Sequence, residues 1–210
     1  MRNAFYSSSL LKKYNKAYEL MGTVNNEIIN RYDVFKQFML NEKFVEQNII
    51  FVKDDSPRNA QELLYESPLK SHHPFGNSLL SIEAKKGFSG KFSARILSDA
   101  ISNKVLLRYD SDGKTHRNNY DDIPLCQQSI TTPHLHKYDE GGRFLAIKTE
   151  SIMQDETKAR GIQTGFRIFC EEGNILSQND REYPQAIIGD MMTLPFETEE
   201  TDPCEGVNFN

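Results

Sequence analysis

Tryptophan is absent from the 210-residue chain, cysteine occurs only three times, and no long apolar run is present. Cys126, Cys170 and Cys204 are odd in number and far apart, which argues against a disulfide framework and against a paired-thiolate zinc site. No segment approaches the roughly 20 apolar residues of a transmembrane helix, and the first residues lack the apolar core of a signal peptide. We therefore expect a cytoplasmic protein that does not associate with a membrane.

Charge is distributed unevenly along the chain. Residues 171–210 contain ten Asp or Glu and a single Arg, whereas residues 85–117 contain eight Lys or Arg and three Asp. A basic segment favours an anionic ligand, and a dense acidic segment can bind a basic surface of another protein. The alternative is that neither segment binds a ligand. In that case the basic segment is a solvated edge of the protein, whose charge the acidic segment of the same chain neutralises.

Apolar residues with helical spacing characterise the N-terminal part, where two stripes predict two helices. The stripes are Leu10, Tyr14, Tyr18 and Met21 in the first helix and Val24, Ile28, Tyr32, Phe35 and Met39 in the second. From residue 79 onward the apolar period changes to two, and turn residues recur about every ten positions. Strands joined by short turns favour an antiparallel sheet over parallel βαβ units.

The resulting prediction is an α+β fold, in which N-terminal helices pack on an antiparallel sheet that could close into a barrel. The predicted segments are a helical part at 1–52, a linker at 53–78 with a short helix at 60–66, a β-rich core at 79–195 and a disordered acidic tail at 196–210. The predicted strands of the core are 79–83, 91–97, 104–110, 131–138, 143–149 and 165–170.

Two of these strands carry most of the polar residues that could support chemistry. Alternate residues of a strand share a face, so His134, His136 and Tyr138 should point together. If the strand at 104–110 is the neighbour, Arg108 and Asp110 lie beside the two histidines. The loop that follows delivers a second polar group, which consists of His116, Arg117 and Asn118.

This set suits cleavage of an RNA phosphodiester, which needs a base, an acid and a fixed cation. His134 or His136 is the candidate base, and His116 is the candidate acid. Arg108 or Arg117 would hold the anion, and this interpretation requires no cofactor. The candidate catalytic residues are His116, His134, His136, Tyr138 and Glu140, and the candidate ligand-binding residues are Arg108, Asp110, Arg117 and Asn118.

Other interpretations of the histidines stay open. Two histidines at i and i+2 form a common metal chelate, and Glu140 extends them to His-x-His-x(3)-Glu, which resembles the first cupin motif. The match is partial, because Gln128 stands where that family has glycine and no histidine follows His136. His116, His134 and His136 form an alternative metal set. The third interpretation gives the histidines a structural role only, as exposed strand residues or partners of nearby carboxylates.

Three motifs of this region occur in a fixed order, and they are Leu106-Leu107-Arg108-Tyr109-Asp110, His116-Arg117-Asn118 and His134-Leu135-His136-Lys137-Tyr138-Asp139-Glu140-Gly141. Their order resembles the core of a family of small uncharacterised bacterial and prophage-carried proteins, and the resemblance covers about 104–148. The chain departs from it by extra residues before Pro133 and by Phe144 where the family tends to have tryptophan. The resemblance implies a mobile-element or defence setting and carries no reaction.

We therefore expect a protein that binds, and in the stronger hypothesis hydrolyses, RNA or another phosphorylated ligand through its His/Arg site. One rival is a non-enzymatic interaction or inhibitor protein, which would bind a protein partner through the acidic tail or the helical face. The other rival is a His-ligated metalloprotein.

Overall fold

The computed structural model describes residues 24–46, 49–51, 62–71 and 76–188, and these residues form an α+β fold as predicted. The helices are α1 (Asn26–Asn30), α2 (Tyr32–Leu40), α3 (Leu125–Gln128), α4 (Glu150–Gln154), α5 (Glu156–Arg160) and α6 (Ile162–Gly173). The strands are β1 (Lys43–Val45), β2 (Ile49–Phe51), β3 (Glu62–Ser71), β4 (Ser78–Lys85), β5 (Phe88–Ser98), β6 (Ser102–Asp110), β7 (His116–Arg117), β8 (Ser129–Ile130), β9 (His134–Tyr138), β10 (Phe144–Ile147), β11 (Ile175–Ser177) and β12 (Ala186–Ile188). The predicted helix at 10–21 and the acidic tail at 196–210 lie outside the described residues.

Eight strands form one open sheet in the order β10-β9-β6-β5-β4-β3-β1-β11, so the sheet does not close into a barrel. Its pairs are antiparallel except for β1 with β11, which is parallel. Two short pairs lie outside it, namely β2 with β12 and β7 with β8. The five predicted strands between 79 and 149 are confirmed as β4, β5, β6, β9 and β10.

Helix α6 corrects the predicted strand at 165–170. Ile162, Phe166 and Phe169 are buried at helical spacing and pack in the core next to β5 and β6. The alternation of apolar residues within 165–170 imitates a strand, but the helical period extends over the whole segment from Ile162 to Gly173. A side chain at Gly165 would overlap the carbonyl of Ala159, because α6 lies close against its neighbours.

Strand β3 corrects the predicted short helix at 60–66, and it lies within the segment interpreted as a linker. Leu63, Ser67 and Leu69 are buried at even spacing, which is the pattern of a strand with one covered face. Strands β1 and β2 likewise lie within the segment 1–52, which was predicted to be helical.

The predicted second helix is divided into α1 and α2, with a break at Arg31. Ile28, Phe35 and Met39 of the predicted stripe are buried, whereas Val24 is exposed and forms an isolated bridge with Arg143. None of the helices in the described ranges combines the length and the apolar content that a membrane crossing requires.

Candidate metal centre

The pairing of β6 with β9 places four polar side chains on one face of the sheet. Asp110 lies opposite His134 and Arg108 lies opposite His136, which confirms the predicted neighbours. The intervening Tyr109 points to the other face, where it is fully buried in the apolar core. Alternation along two paired strands therefore brings these side chains together.

Two imidazoles and one carboxylate converge at the start of β9. Nε2 of His134 lies 2.9 Å from Nε2 of His136, and Oδ2 of Asp110 lies 3.3 Å from Nε2 of His136 and 3.7 Å from Nε2 of His134. Ligand atoms held at about 2.1 Å from a metal ion, with angles of about 90–110° between them, are themselves roughly 3.0–3.4 Å apart. The three observed separations therefore agree with those expected between metal ligands to within a few tenths of an ångström. All three residues are buried.

The backbone fixes the protonated nitrogen of His134. Nδ1 lies 3.2 Å from the carbonyl oxygen of Thr131. Because a carbonyl oxygen only accepts, Nδ1 must carry a proton, and Nε2 is left as the nitrogen that faces the cluster and could bind a metal ion. Such a hydrogen bond on the far nitrogen is the usual way in which proteins orient a metal-binding histidine.

The carboxylate of Asp110 divides its two oxygens between two partners. Oδ1 accepts a hydrogen bond from Nε of Arg108 at 2.8 Å, whereas Oδ2 faces the histidines. Burial raises the pKa of Asp110, but the histidine hydrogen bonds and the charge of Arg108 outweigh it and hold the pKa below the ordinary value. Asp110 is therefore ionised at neutral pH.

His136 has one nitrogen in the cluster and one without a partner. Its Nδ1 is buried and has no hydrogen bond among the described residues. The ring stacks on Phe144 with centroids 5.2 Å apart, and burial lowers the pKa of His136. Buried polar atoms without partners are rare in proteins and call for an explanation from function or strain.

His116, from the short strand β7, forms the third wall of the cluster. Its ring centroid lies 4.6 Å from that of His136 and 6.1 Å from that of His134. Burial, followed by the proximity of His136 and His134, lowers the pKa of His116 to about 4, so the ring is neutral at pH 7. The ring is half-buried and reaches the surface of the cleft described next.

The cluster lies in an open cleft of about 390 Å³. Arg108, Lys114 and Thr115 contribute polar groups to it, and Phe144 forms part of its wall. Lys114, Thr132 and Phe144 were not among the predicted site residues. Lys114 and Thr115 directly follow the Asp110–Gly113 turn, which is the signal that could have identified them.

Four predicted site residues do not join the cluster. Tyr138 is buried away from the cleft, where its hydroxyl oxygen accepts from Nδ2 of Asn25 at 3.2 Å. Asn118 is a structural clamp, whose side chain donates to the carbonyl of Ala146 and accepts from the amide of the same residue. Glu140 and Arg117 are exposed, and neither lines the cleft.

The segment that holds His134 is fastened by two long cationic side chains. Nη2 of Arg160 donates to the carbonyl of Thr132 at 2.9 Å, and Nζ of Lys148 donates to Oγ1 of Thr131 at 3.0 Å. These bonds fix the Thr131 carbonyl that orients His134. The sequence does not predict these two contacts, because Lys148 and Arg160 each lie more than a dozen positions from the threonine that they bind.

Comparisons of the chain with protein-family models, with curated proteins and with solved structures found no match.

Proposed function

We propose that the protein is a metal-dependent hydrolase of phosphorylated substrates, in which Asp110, His134 and His136 bind one divalent transition metal ion. The observation that carries this proposal is the convergence of three ligand atoms at separations of 2.9, 3.3 and 3.7 Å. A pair of histidines with one carboxylate is a ligand set that proteins use for divalent iron and for catalytic zinc, and it leaves coordination positions open to substrate and water.

The side chains around the three ligands suit an anionic substrate. Arg108 and Lys114 line the same cleft, and the side chain of Arg108 is 41% exposed. A guanidinium and an ammonium at this position can neutralise phosphate oxygens. A divalent ion would add positive charge at the phosphoryl group and would lower the pKa of a water molecule in contact with it.

The reaction is the addition of water to a phosphate ester. The oxygen of the water forms a bond to phosphorus, and the bond from phosphorus to the leaving oxygen breaks. His116 stands beside His136 without belonging to the ligand set, so it is placed to accept the proton of the water. The same proton then passes to the leaving oxygen, which departs as an alcohol.

The test measures metal binding and turnover separately. Untagged protein is treated with EDTA, and the binding of Zn²⁺, Mn²⁺, Co²⁺ and anaerobic Fe²⁺ is followed by calorimetry and elemental analysis. Hydrolysis of bis-p-nitrophenyl phosphate is assayed with each ion. We expect one ion per chain in the wild type, and we expect Asp110→Asn and His134→Gln to lose that ion together with the turnover.

Two further variants make the assignment specific. His116→Gln should retain the ion and lose turnover, since this residue acts on protons and not on the metal. Glu140→Gln is the matched control, because this exposed carboxylate lies outside the cluster, and it should behave as the wild type. The proposal is wrong if the wild type binds each of the four ions below stoichiometry, or if Asp110→Asn binds metal with wild-type affinity.

A further inference from the structure

The hairpin between β4 and β5 presents an exposed aromatic ring among lysines. Phe88 is 51% exposed, and the ammonium groups of Lys85 and Lys91 lie 5.2 and 5.6 Å from the centroid of its ring. Lys86 stands exposed at the turn, next to Gly87. An isolated exposed apolar residue is ordinary, but an aromatic ring bracketed by cations at a hairpin tip is a specific arrangement.

A second depression connects this hairpin with the metal centre. It has a volume of about 260 Å³ and extends from Lys85 and Lys91 to Arg108 and Asp110. Arg108 and Asp110 also line the cleft of the cluster, so the two hollows share a wall. The depression includes Ser93, whose buried Oγ has no hydrogen-bond partner among the described residues.

The distance along this surface suits a chain-like ligand. Ser93 pairs with Asp110 in the sheet and follows Phe88 by five positions. Phe88 and Ser93 both lie in β5, and five residues of extended strand cover roughly 16–17 Å. A ligand that contacts both the ring of Phe88 and the metal centre must therefore be longer than a mononucleotide.

The chemistry of the surface favours nucleic acid over a protein ligand. Proteins hold single strands by stacking bases on aromatic rings and by neutralising the backbone with nearby cations. The depression is lined by four cations and four carboxylates, and these are Lys85, Lys91, Arg95 and Arg108 with Glu62, Glu83, Asp110 and Asp112. The ion pair Lys91–Asp112 is about half exposed and contributes little stability, so Lys91 can turn to a phosphate oxygen. Arg95 is held more firmly, by a bidentate pair with Glu83.

We infer that the substrate of the metal centre is a single-stranded nucleic acid, of which one base stacks on Phe88 while the backbone follows the second depression to the cluster. The catalytic half of this inference rests on the proposed hydrolase function. The binding half is independent of it, because stacking on the hairpin requires no metal ion.

The experiment measures binding by the full chain in EDTA, where the proposed metal-dependent cleavage cannot occur. Fluorescence anisotropy is recorded with labelled oligouridine and oligothymidine of about 12 nucleotides and with a duplex of the same length. We expect Phe88→Ala to bind the single strands about tenfold more weakly, and Phe88→Tyr to restore affinity because its ring also stacks. Lys86→Gln should weaken binding and flatten its salt dependence.

Two control variants should leave the affinity for single strands unchanged, and three results would overturn the inference. Leu40→Ala removes an apolar residue that is 71% exposed on α2, and Lys104→Gln removes an exposed charge at the start of β6; both should bind as the wild type. Equal affinity of Phe88→Ala and the wild type would overturn the inference, and so would equal affinity for duplex. Competition by polyglutamate as strong as by oligonucleotide would indicate an acidic protein ligand and would also overturn it.

The two proposals fail in distinguishable ways. Binding that depends on Phe88, in a protein that takes up no metal ion, would remove the hydrolase proposal and keep the nucleic-acid surface. Metal uptake and phosphate-ester turnover with no dependence of oligonucleotide binding on Phe88 would do the opposite. His134→Gln should lose the metal ion and retain oligonucleotide affinity in EDTA.

Discussion

Two buried polar sites of this protein are built in opposite ways. Lys43 of β1 is 1% exposed, and its Nζ donates to the carbonyls of Phe38, Asn41 and Met39 at 2.6, 2.7 and 3.4 Å. These carbonyls belong to the C-terminal end of α2, where helix geometry leaves acceptors without donors. Burial lowers the pKa of the Lys43 ammonium, and the three acceptors offset the cost of burying it.

The candidate metal centre lacks this complementarity. Nε2 of His134 faces Nε2 of His136, both face Oδ2 of Asp110, and Nδ1 of His136 has no partner among the described residues. Lys43 brings hydrogen-bond donors to its three acceptors, whereas the cluster brings together two imidazole nitrogens and a carboxylate oxygen, each of which can bind a metal ion. A buried polar group whose neighbours complete its hydrogen bonds therefore indicates a role in stability. A buried polar group whose hydrogen bonds are incomplete is a candidate for a role in function.

The largest expected effect is on the metal centre. Addition of Zn²⁺ or Mn²⁺ to EDTA-treated protein should raise the free energy of unfolding by about 2.7 kcal/mol when the free ion is at roughly 100 times its Kd, because the ion binds only the folded state. Thermal unfolding with and without the ion measures the change. His136→Phe should show no such increase. The same increase in this variant would locate the ion elsewhere and remove the contrast between the two sites.

Substitution of Lys43 by methionine tests the other site. The change keeps an apolar chain of similar length but removes the donor of three carbonyls, so Lys43→Met should lower the free energy of unfolding by about 2 kcal/mol. Urea denaturation measures this loss, with Lys36→Met, a half-exposed lysine of α2, as the control. If Lys43→Met is as stable as the wild type, the three hydrogen bonds do no more than balance the cost of burial.

The smallest effect is expected for the histidine whose second nitrogen has no partner. In EDTA, His136→Phe should change the free energy of unfolding by less than about 1 kcal/mol. The variant loses the contacts of Nε2 with His134 and Asp110, but it also removes the unpartnered Nδ1 and keeps an aromatic ring on Phe144. His134→Phe should lose more stability, since it also removes the bond to the Thr131 carbonyl. A loss of more than about 2 kcal/mol in His136→Phe, measured by urea denaturation, would mean that this histidine is a structural residue like Lys43.

The centre of the site could be predicted from the sequence because its geometry is local. Residues two apart on a strand share a face in every sheet, so Arg108 with Asp110 and His134 with His136 follow from alternation alone. Only the pairing of β6 with β9 had to be inferred. Asp110 was predicted to lie beside the histidines and to bind a ligand. Its proposed role as a metal ligand was not predicted, because the distance between its Oδ2 and the imidazoles depends on the register, which the sequence did not supply.

The other site predictions depended on contacts between distant parts of the chain. Tyr138 continues the alternation of His134 and His136, yet its ring packs on Phe35 and Phe144 and leaves the cleft. Asn118 is as polar as a ligand-binding residue, but its side chain bonds to the backbone of Gln127 and of Ala146, which is 28 positions later in the chain. Polarity alone does not separate a clamp from a binding group.

The errors in secondary structure have a similar origin. Within 165–170, apolar residues alternate strictly enough for a strand, and only the longer window that includes Ile162 shows the helical period. In β3, Pro68 suggested a linker, but it pairs only with Leu79 of β4, because β1 pairs with β3 only at Lys70 and Ser71. Short windows and single prolines are weak guides when tertiary packing decides between two patterns.

The clamp made by Asn118 has a consequence for the behaviour of the protein at high concentration. Its side chain occupies both the amide and the carbonyl of Ala146 on β10, the last strand at one end of the open sheet. Unoccupied backbone groups on a terminal strand invite pairing with another molecule, which leads to aggregation. By bonding to the amide and the carbonyl of Ala146, the side chain of Asn118 hinders the strand of another molecule from pairing with β10 at this position.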